Sequence, residues 1–220
     1  MLEEELTPEI GPKLQTLIFP PQGLFLRLDA CSPKDGVQGT KPIRNLQQIL
    51  LRLTSSGRAM SSISRLLGTD SPIILYFLPF NIEMNTALEY RVFCPPPNGD
   101  VAAVSQYKWH AQSDFHHRPE EQTVQIAETV MKEVRRIHAD ITNYELADEP
   151  AKLLRSQGFT FDVMFDEKAS SCALIELNCF GSRSGCGSCL FHWLRDEEVL
   201  YGNGPKDEKG EVEVEFRISV

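Results

Sequence analysis

The spacing of apolar residues changes several times along the chain, and each change predicts an element. In Gly23 to Leu28 (GLFLRL), Leu24, Leu26 and Leu28 alternate with other residues, which predicts a first strand with one buried face. Residues 29–40 are rich in Ser, Pro, Asp and Gly and read as a loop. Ile43, Leu46, Ile49, Leu50 and Leu53 then recur at helical spacing. Pro42 stands where a first turn accepts proline, so a helix is predicted from Thr40 to about Ser55. A short second helix is predicted over Ala59 to Leu67. Ile73 to Leu78 is a continuous apolar run, and continuity predicts a strand buried on both faces. EYRVF (Glu89 to Phe93) and VAAVSQY (Val101 to Tyr107) flank PPPNGD, whose Asn-Gly end signals a hairpin.

The longest predicted helix runs from Pro119 to Ile141, with Val124, Ala127, Val130, Met131, Val134 and Ile137 as its buried stripe. Asp148 to Ser156 reads as another helix, stopped by Gly158. Phe159 to Phe165 (FTFDVMF) and Cys172 to Leu177 (CALIEL) read as a second hairpin, and residues 202–210 as a flexible loop. Val212, Val214, Phe216, Ile218 and Val220 alternate with Glu213, Glu215, Arg217 and Ser219, the pattern of an edge strand. About seven strands and four helices in hairpin-first order predict an α+β fold.

Composition narrows the function classes. The 220 residues carry 22 Lys plus Arg and 31 Asp plus Glu, a formal charge of −9. That balance argues against nucleic-acid binding and against docking on anionic lipid. The longest apolar run, Pro72 to Phe80, is too short for a membrane span, which needs roughly 20 residues. The acidic start MLEEELTPEI does not resemble a targeting segment. Six cysteines are too sparse for a disulfide scaffold in a chain of this length, so reduced thiols and a cytoplasmic location are expected.

Three groups of residues could carry chemistry. Glu176 and Asn178 lie two apart on one predicted strand and so share a face, and the hairpin brings Asp162 alongside. Such oxygen donors suit Mg²⁺, which takes one or two carboxylates and fills its other positions with water or phosphate. A merely solvated face is the alternative reading. Arg27 and Lys34 flank the first loop and either reach phosphate or are ordinary surface cations. Arg91 sits mid-strand, where a buried charge needs an anionic partner: a ligand, or a protein carboxylate such as Glu89 on the same face. Cys179, Cys186, Cys189 and His192 have loose zinc-like spacing, with plain thiols as the simpler reading. A Gly-rich phosphate loop of the Walker or Rossmann type is absent from the sequence.

The segments FLRLDACSPKDG, EYRVFCPPP, VAAVSQYKWH, FTFDVMFDE, CALIELNCFG and SCLFHWLRDEEVLYG, in this order, resemble the cell division cycle protein 123 family. The resemblance runs from about Leu24 to Tyr201. It implies an ATP-grasp fold of two lobes with antiparallel sheets and a nucleotide cleft between them. Residues 1–23 would be an acidic lead-in, and 24–220 a single ATP-grasp-like domain. Within it, 24–80 would be a reduced N-terminal lobe with the hinge, and 81–220 the C-terminal lobe.

The resemblance further implies a monomeric, ATP-Mg²⁺-binding assembly chaperone for the gamma subunit of eukaryotic translation initiation factor 2, without established turnover. Asp162, Glu176 and Asn178 fall on its Mg²⁺ and ATP positions. Arg27, Lys34, Glu89 and Arg91 fall on further ATP positions, with Arg91 facing phosphate, and Phe77, Leu78 and Phe80 fall on the adenine hinge. The sequence departs from the family pattern at Ala30, Glu176 and Cys179. The alternatives are an ATP-grasp carboxylate-amine ligase and a degenerate paralogue that has lost ATP.

Overall fold

The computed structural model describes residues 14, 16–67, 69–143, 148–184, 186–206, 210 and 212–219. The chain divides after Glu83 into two compact units.

In the first unit, β1 (Leu24–Leu28) pairs antiparallel with β2 (Leu75–Pro79), with Arg27 opposite Tyr76 and Phe25 opposite Leu78. Leu24 and Leu26 face inward and form a core with Ile43 and Ile49, against which Leu75 and Phe77 pack. The expectation that β2 is buried on both faces is wrong. Tyr76 is 44% and Leu78 49% exposed. A two-stranded sheet has one helix-packed face only, and the other face of this one carries Tyr76 and Leu78.

Helix α1 (Leu46–Ser55) starts six residues later than the sequence suggests. Asn45 is its N-cap, its side chain accepting the Gln48 N–H at 2.9 Å. Ile43 lies outside the helix because its backbone N–H and C=O both bond Leu24, at 2.8 Å each. Helix α2 (Gly57–Leu66) follows at once, capped by the Ser56 hydroxyl on the Ala59 N–H at 3.0 Å.

The second unit is built on a five-stranded sheet in the order β6-β5-β3-β4-β7. Its strands are β3 (Glu89–Cys94), β4 (Ala103–Gln106), β5 (Phe159–Asp166), β6 (Ser171–Cys179) and β7 (Glu215–Arg217). Neighbours are antiparallel except β4 and β7, which are parallel. Both expected hairpins are present.

One face carries Tyr90, Val92, Phe159, Phe161, Val163 and Phe165 and packs on helix α3 (Glu120–Asn143) through Val130, Val134, Ile137 and Ile141. The expected stripe is displaced toward the C-terminus: Val124 is 49% exposed and Ile141 buried. A 24-residue helix is ~36 Å long. It outruns the strands beneath it, the longest of which has nine residues and spans ~30 Å.

Helix α4 (Asp148–Gln157) ends at Gly158, whose φ of +70° is one that L side chains rarely adopt. A short α5 covers Glu197–Leu200. The C-terminal strand is shorter than its alternation predicts. Beyond Arg217 the chain leaves the ladder, because Ser219 bonds Gln106 Oε1 through its N–H and the Ser113 N–H through its carbonyl. Val220, residues 207–209 of the expected loop, and most of the expected lead-in lie outside the described residues. Among the described residues, no helix is long and apolar enough to cross a membrane.

Candidate functional site

The register of the five strands sets up one transverse row of polar side chains. Glu176 on β6 stands opposite Asp162 on β5, Asp162 opposite Arg91 on β3, Arg91 opposite Ser105 on β4, and Ser105 opposite Arg217 on β7. Asn178 lies one step along, opposite Thr160. The row occupies the face turned away from α3, since Tyr90, Val92, Phe161 and Val163 alternate with it and point the other way.

A bulge decides who joins this face. Asp162 pairs with Glu176 but Val163 pairs with Leu174, so Ile175 is an extra residue on β6. Cys172, Leu174, Glu176 and Asn178 have the same parity in the sequence. The bulge breaks that parity: Cys172 and Leu174 line a groove with Ile137 and Ile141 of α3, while Glu176 and Asn178 turn to Asp162.

Asp162 is 0% exposed, and Arg91 grips it with a two-pronged ion pair. Nε donates to Oδ1 and Nη2 to Oδ2, both at 2.7 Å. Burial by itself would lower the guanidinium pKa, but the hydrogen bonds and charge of Asp162 hold it above its ordinary value. Arg91 Nη1 donates to the Gly187 carbonyl at 3.0 Å, and the guanidinium lies 4.8 Å from the centre of the Tyr107 ring. Glu89 is buried at the start of the same strand. The mid-strand arginine thus has a protein carboxylate as partner, and that carboxylate is Asp162.

Asn178 completes the acidic end. Its amide Nδ2 lies 3.5 Å from Asp162 Oδ2 and 3.4 Å from Glu176 Oε1. Asn178 and Glu176 are half-buried, so the cluster opens outward from a buried root. Among the described residues no three His, Cys, Asp or Glu side chains are grouped to hold a metal ion. The donors here are two carboxylates and one amide. That set fits Mg²⁺, which takes few protein ligands and keeps water or phosphate in its other positions.

The segment 186–190 lies across the row. Besides Gly187 on Arg91, the Cys186 thiol meets Thr160 Oγ1 at 3.1 Å, the Leu190 N–H donates to Ser105 Oγ at 3.0 Å, and the Leu190 carbonyl accepts from Arg217 at 3.3 Å. Burial pushes the Cys189 thiol up to about 12 against the opposing charge of Arg91, and raises Cys186 in the same way. Raised thiols of this kind are poor nucleophiles. His192 Nδ1 faces the backbone N–H groups of Leu194 and Arg195.

In the first unit, Arg27 is half-buried on the outer face of β1, with Leu78 and Tyr76 on that same face. The Phe77 side chain turns inward to the core, and the Phe80 N–H bonds the Gly23 carbonyl at 3.0 Å. Lys34 sits half-buried in a tight turn. The structure brings Asp162, Glu176, Asn178 and Arg91 together within one unit. Thr160, Ser105, Tyr107 and Gly187 also contact or line this group and escaped the sequence reading. Thr160 was findable, two residues before Asp162 on the same strand. Gly187 was not, because only the path of a loop brings its carbonyl to Arg91.

No protein-family model matches the sequence, and no curated protein does. The chain is similar to the solved structure of Cdc123 from Schizosaccharomyces pombe, with a TM-score of 0.61 and 17% sequence identity over 96% of this chain and 77% of that one. At this identity the likeness establishes the fold: a mixed α+β, Cdc123-like architecture.

Proposed function

We propose that the protein is an ATP-Mg²⁺-binding assembly chaperone of the cell division cycle protein 123 family, with an ATP-grasp architecture, acting in the cytoplasm on the gamma subunit of eukaryotic translation initiation factor 2. The observation that carries the nucleotide part is the gathering of Glu176 and Asn178 beside buried Asp162 on one sheet face. Glu176 and Asn178 would hold Mg²⁺ from the outer side. Asp162 would approach the ion with the lone pairs that Arg91 leaves. Mg²⁺ when bound would neutralise phosphate charge.

The same reading assigns Glu89 and Arg91 of the second unit, and Arg27, Lys34, Phe77, Leu78 and Phe80 of the first, to the nucleotide. Arg91 would act by fixing Asp162. The partner assignment follows the fold likeness, and the net charge of −9 suits a basic protein surface, where complementary charge speeds and orients encounter.

The test is calorimetric titration with ATP in the presence and absence of Mg²⁺, followed by a pull-down with the gamma subunit. Binding of ATP that needs Mg²⁺, together with capture of the gamma subunit, is the expected result. Heat that is the same without Mg²⁺ would remove the metal assignment. A protein that ignores the gamma subunit would remove the chaperone assignment. Release of ADP on incubation with ATP and carboxylic acids would move the reading to a ligase.

A further inference from the structure

The loop after β1 contains no helix or strand, yet it is fastened from both α1 and α2. Asp35 uses both carboxylate oxygens: Oδ1 accepts the Ser56 hydroxyl at 2.5 Å, and Oδ2 accepts the Arg58 N–H at 3.1 Å in the first turn of α2. The Val37 N–H donates to Ser55 Oγ at 2.8 Å at the end of α1. Arg52, 1% exposed within α1, donates through Nη2 to the Gln38 carbonyl at 2.5 Å. Gln38 has φ +57°, the left-handed region. The turn is also too tight for side chains at its glycines. A Cβ on Gly36 would lie 2.7 Å from the Arg52 carbonyl, and one on Gly39 2.0 Å from the Lys34 carbonyl.

Arg52 is an expensive way to hold a turn. Its Nε and Nη1 are buried without a hydrogen-bond partner, and burial lowers its pKa. A buried cation with unsatisfied N–H groups works against stability, and an apolar side chain of similar length would fill the same space at less cost. The turn that these two side chains fasten carries Lys34, half-buried, one position before Asp35 and four before Gln38.

We propose that Asp35 and Arg52 are positioning residues that lock the turn of residues 33–39 against α1 and α2, so that Lys34 meets a nucleotide phosphate from a rigid support. This rests on the reading of Lys34 as a nucleotide residue. A locked turn spares the ordering cost that a mobile lysine would incur on binding, and it fixes the position of a point charge that has no geometry of its own.

The test measures the Kd for ATP-Mg²⁺ and the melting temperature for the full chain and for Lys34→Ala, Arg52→Met, Arg52→Lys, Asp35→Asn and the Lys34→Ala/Arg52→Met pair. Arg52→Met is expected to weaken binding by about tenfold or more with no fall in melting temperature, and Arg52→Lys to recover part of the loss. In the Lys34→Ala background the Arg52 change is expected to add nothing, which a merely structural effect would not produce. Loss of binding in Lys34→Ala with unchanged binding in Arg52→Met and Asp35→Asn would overturn the positioning role alone. Independent, additive losses, or unfolding of Arg52→Met, would also overturn it. A parent chain that binds no ATP-Mg²⁺ would overturn the functional reading and the positioning role together.

Discussion

Arg91 and Asp162 stand opposite each other on adjacent antiparallel strands and share two hydrogen bonds of 2.7 Å, with the carboxylate fully enclosed. The pair lies at the centre of the polar row. On one side it supports Asn178 and Glu176, and on the other it holds the Gly187 carbonyl.

Removing one member of such a pair leaves an uncompensated buried charge. Asp162→Ala or Arg91→Ala is therefore expected to destabilise the protein by about 3–5 kcal/mol, read by urea denaturation without nucleotide. The double change Arg91→Met/Asp162→Leu is expected to restore most of that loss, because the pair owes little to its charge and much to being complete. Single variants as stable as the parent would show that water reaches the pair.

Glu176 and Asn178 sit half-buried at the open end, and Asp162 keeps its two hydrogen bonds from Arg91 when either is changed. Glu176→Gln and Asn178→Ala should change unfolding free energy by no more than about 0.5 kcal/mol. Both should flatten the Mg²⁺ dependence of ATP binding in calorimetry. A large stability loss with unchanged Mg²⁺ dependence would make them structural.

Gly158 is the tightest backbone position between α4 and β5. An added Cβ would lie 2.7 Å from Pro96 Cδ and 2.8 Å from the Cys94 carbonyl, and φ is +70°. Gly158→Ala is expected to cost at least ~1–2 kcal/mol from the left-handed backbone alone. That corresponds to a fall in melting temperature of about 2–8 °C for a domain of this size. Gly204→Ala serves as the control, since its added Cβ would come no closer than 3.9 Å, to Val199 Cα. Equal melting temperatures for the two variants would contradict this account.

Asp196 gives the acid response a sign. Its hydrogen bond from Arg217, at 2.8 Å, and that from the His192 N–H, at 2.7 Å, hold its carboxyl below the ordinary value of 3.8. A carboxylate with a lowered folded-state pKa binds protons more readily when unfolded, so its contribution is present above that ordinary value and is lost as pH falls through the folded value. Asp196→Asn should be less stable than the parent at pH 6, and the gap should close below about pH 4. A gap that stays constant from pH 6 to pH 3 would show that the aspartate charge plays no part.

Much of this architecture was readable in the chain itself, because local periodicity reports one-sided burial. The Asn-Gly turn, the 159–179 hairpin and the stop at Gly158 all follow from short-range chemistry. The errors share one cause. The late start of α1 depends on Ile43 finding Leu24, and the open face of β2 on how many strands join its sheet. The short β7 depends on Ser219 reaching Gln106 and Ser113. None of these partners is near in sequence.

The candidate site divides in the same way. Sequence alone determined that Glu176 and Asn178 share a face, that Asp162 lies on the neighbouring strand, and that Arg91 needs an anion, because strand alternation and the cost of a buried charge are local rules. Only the tertiary structure decided that the anion is Asp162. It also decided that the bulge at Ile175 separates Glu176 and Asn178 from Cys172 and Leu174, and that Arg52 and Asp35 clasp the Lys34 turn. Register across strands 71 residues apart, and a loop fastened from two helices, are set by the sum of packing over the whole sheet and core. No window of sequence contains that sum.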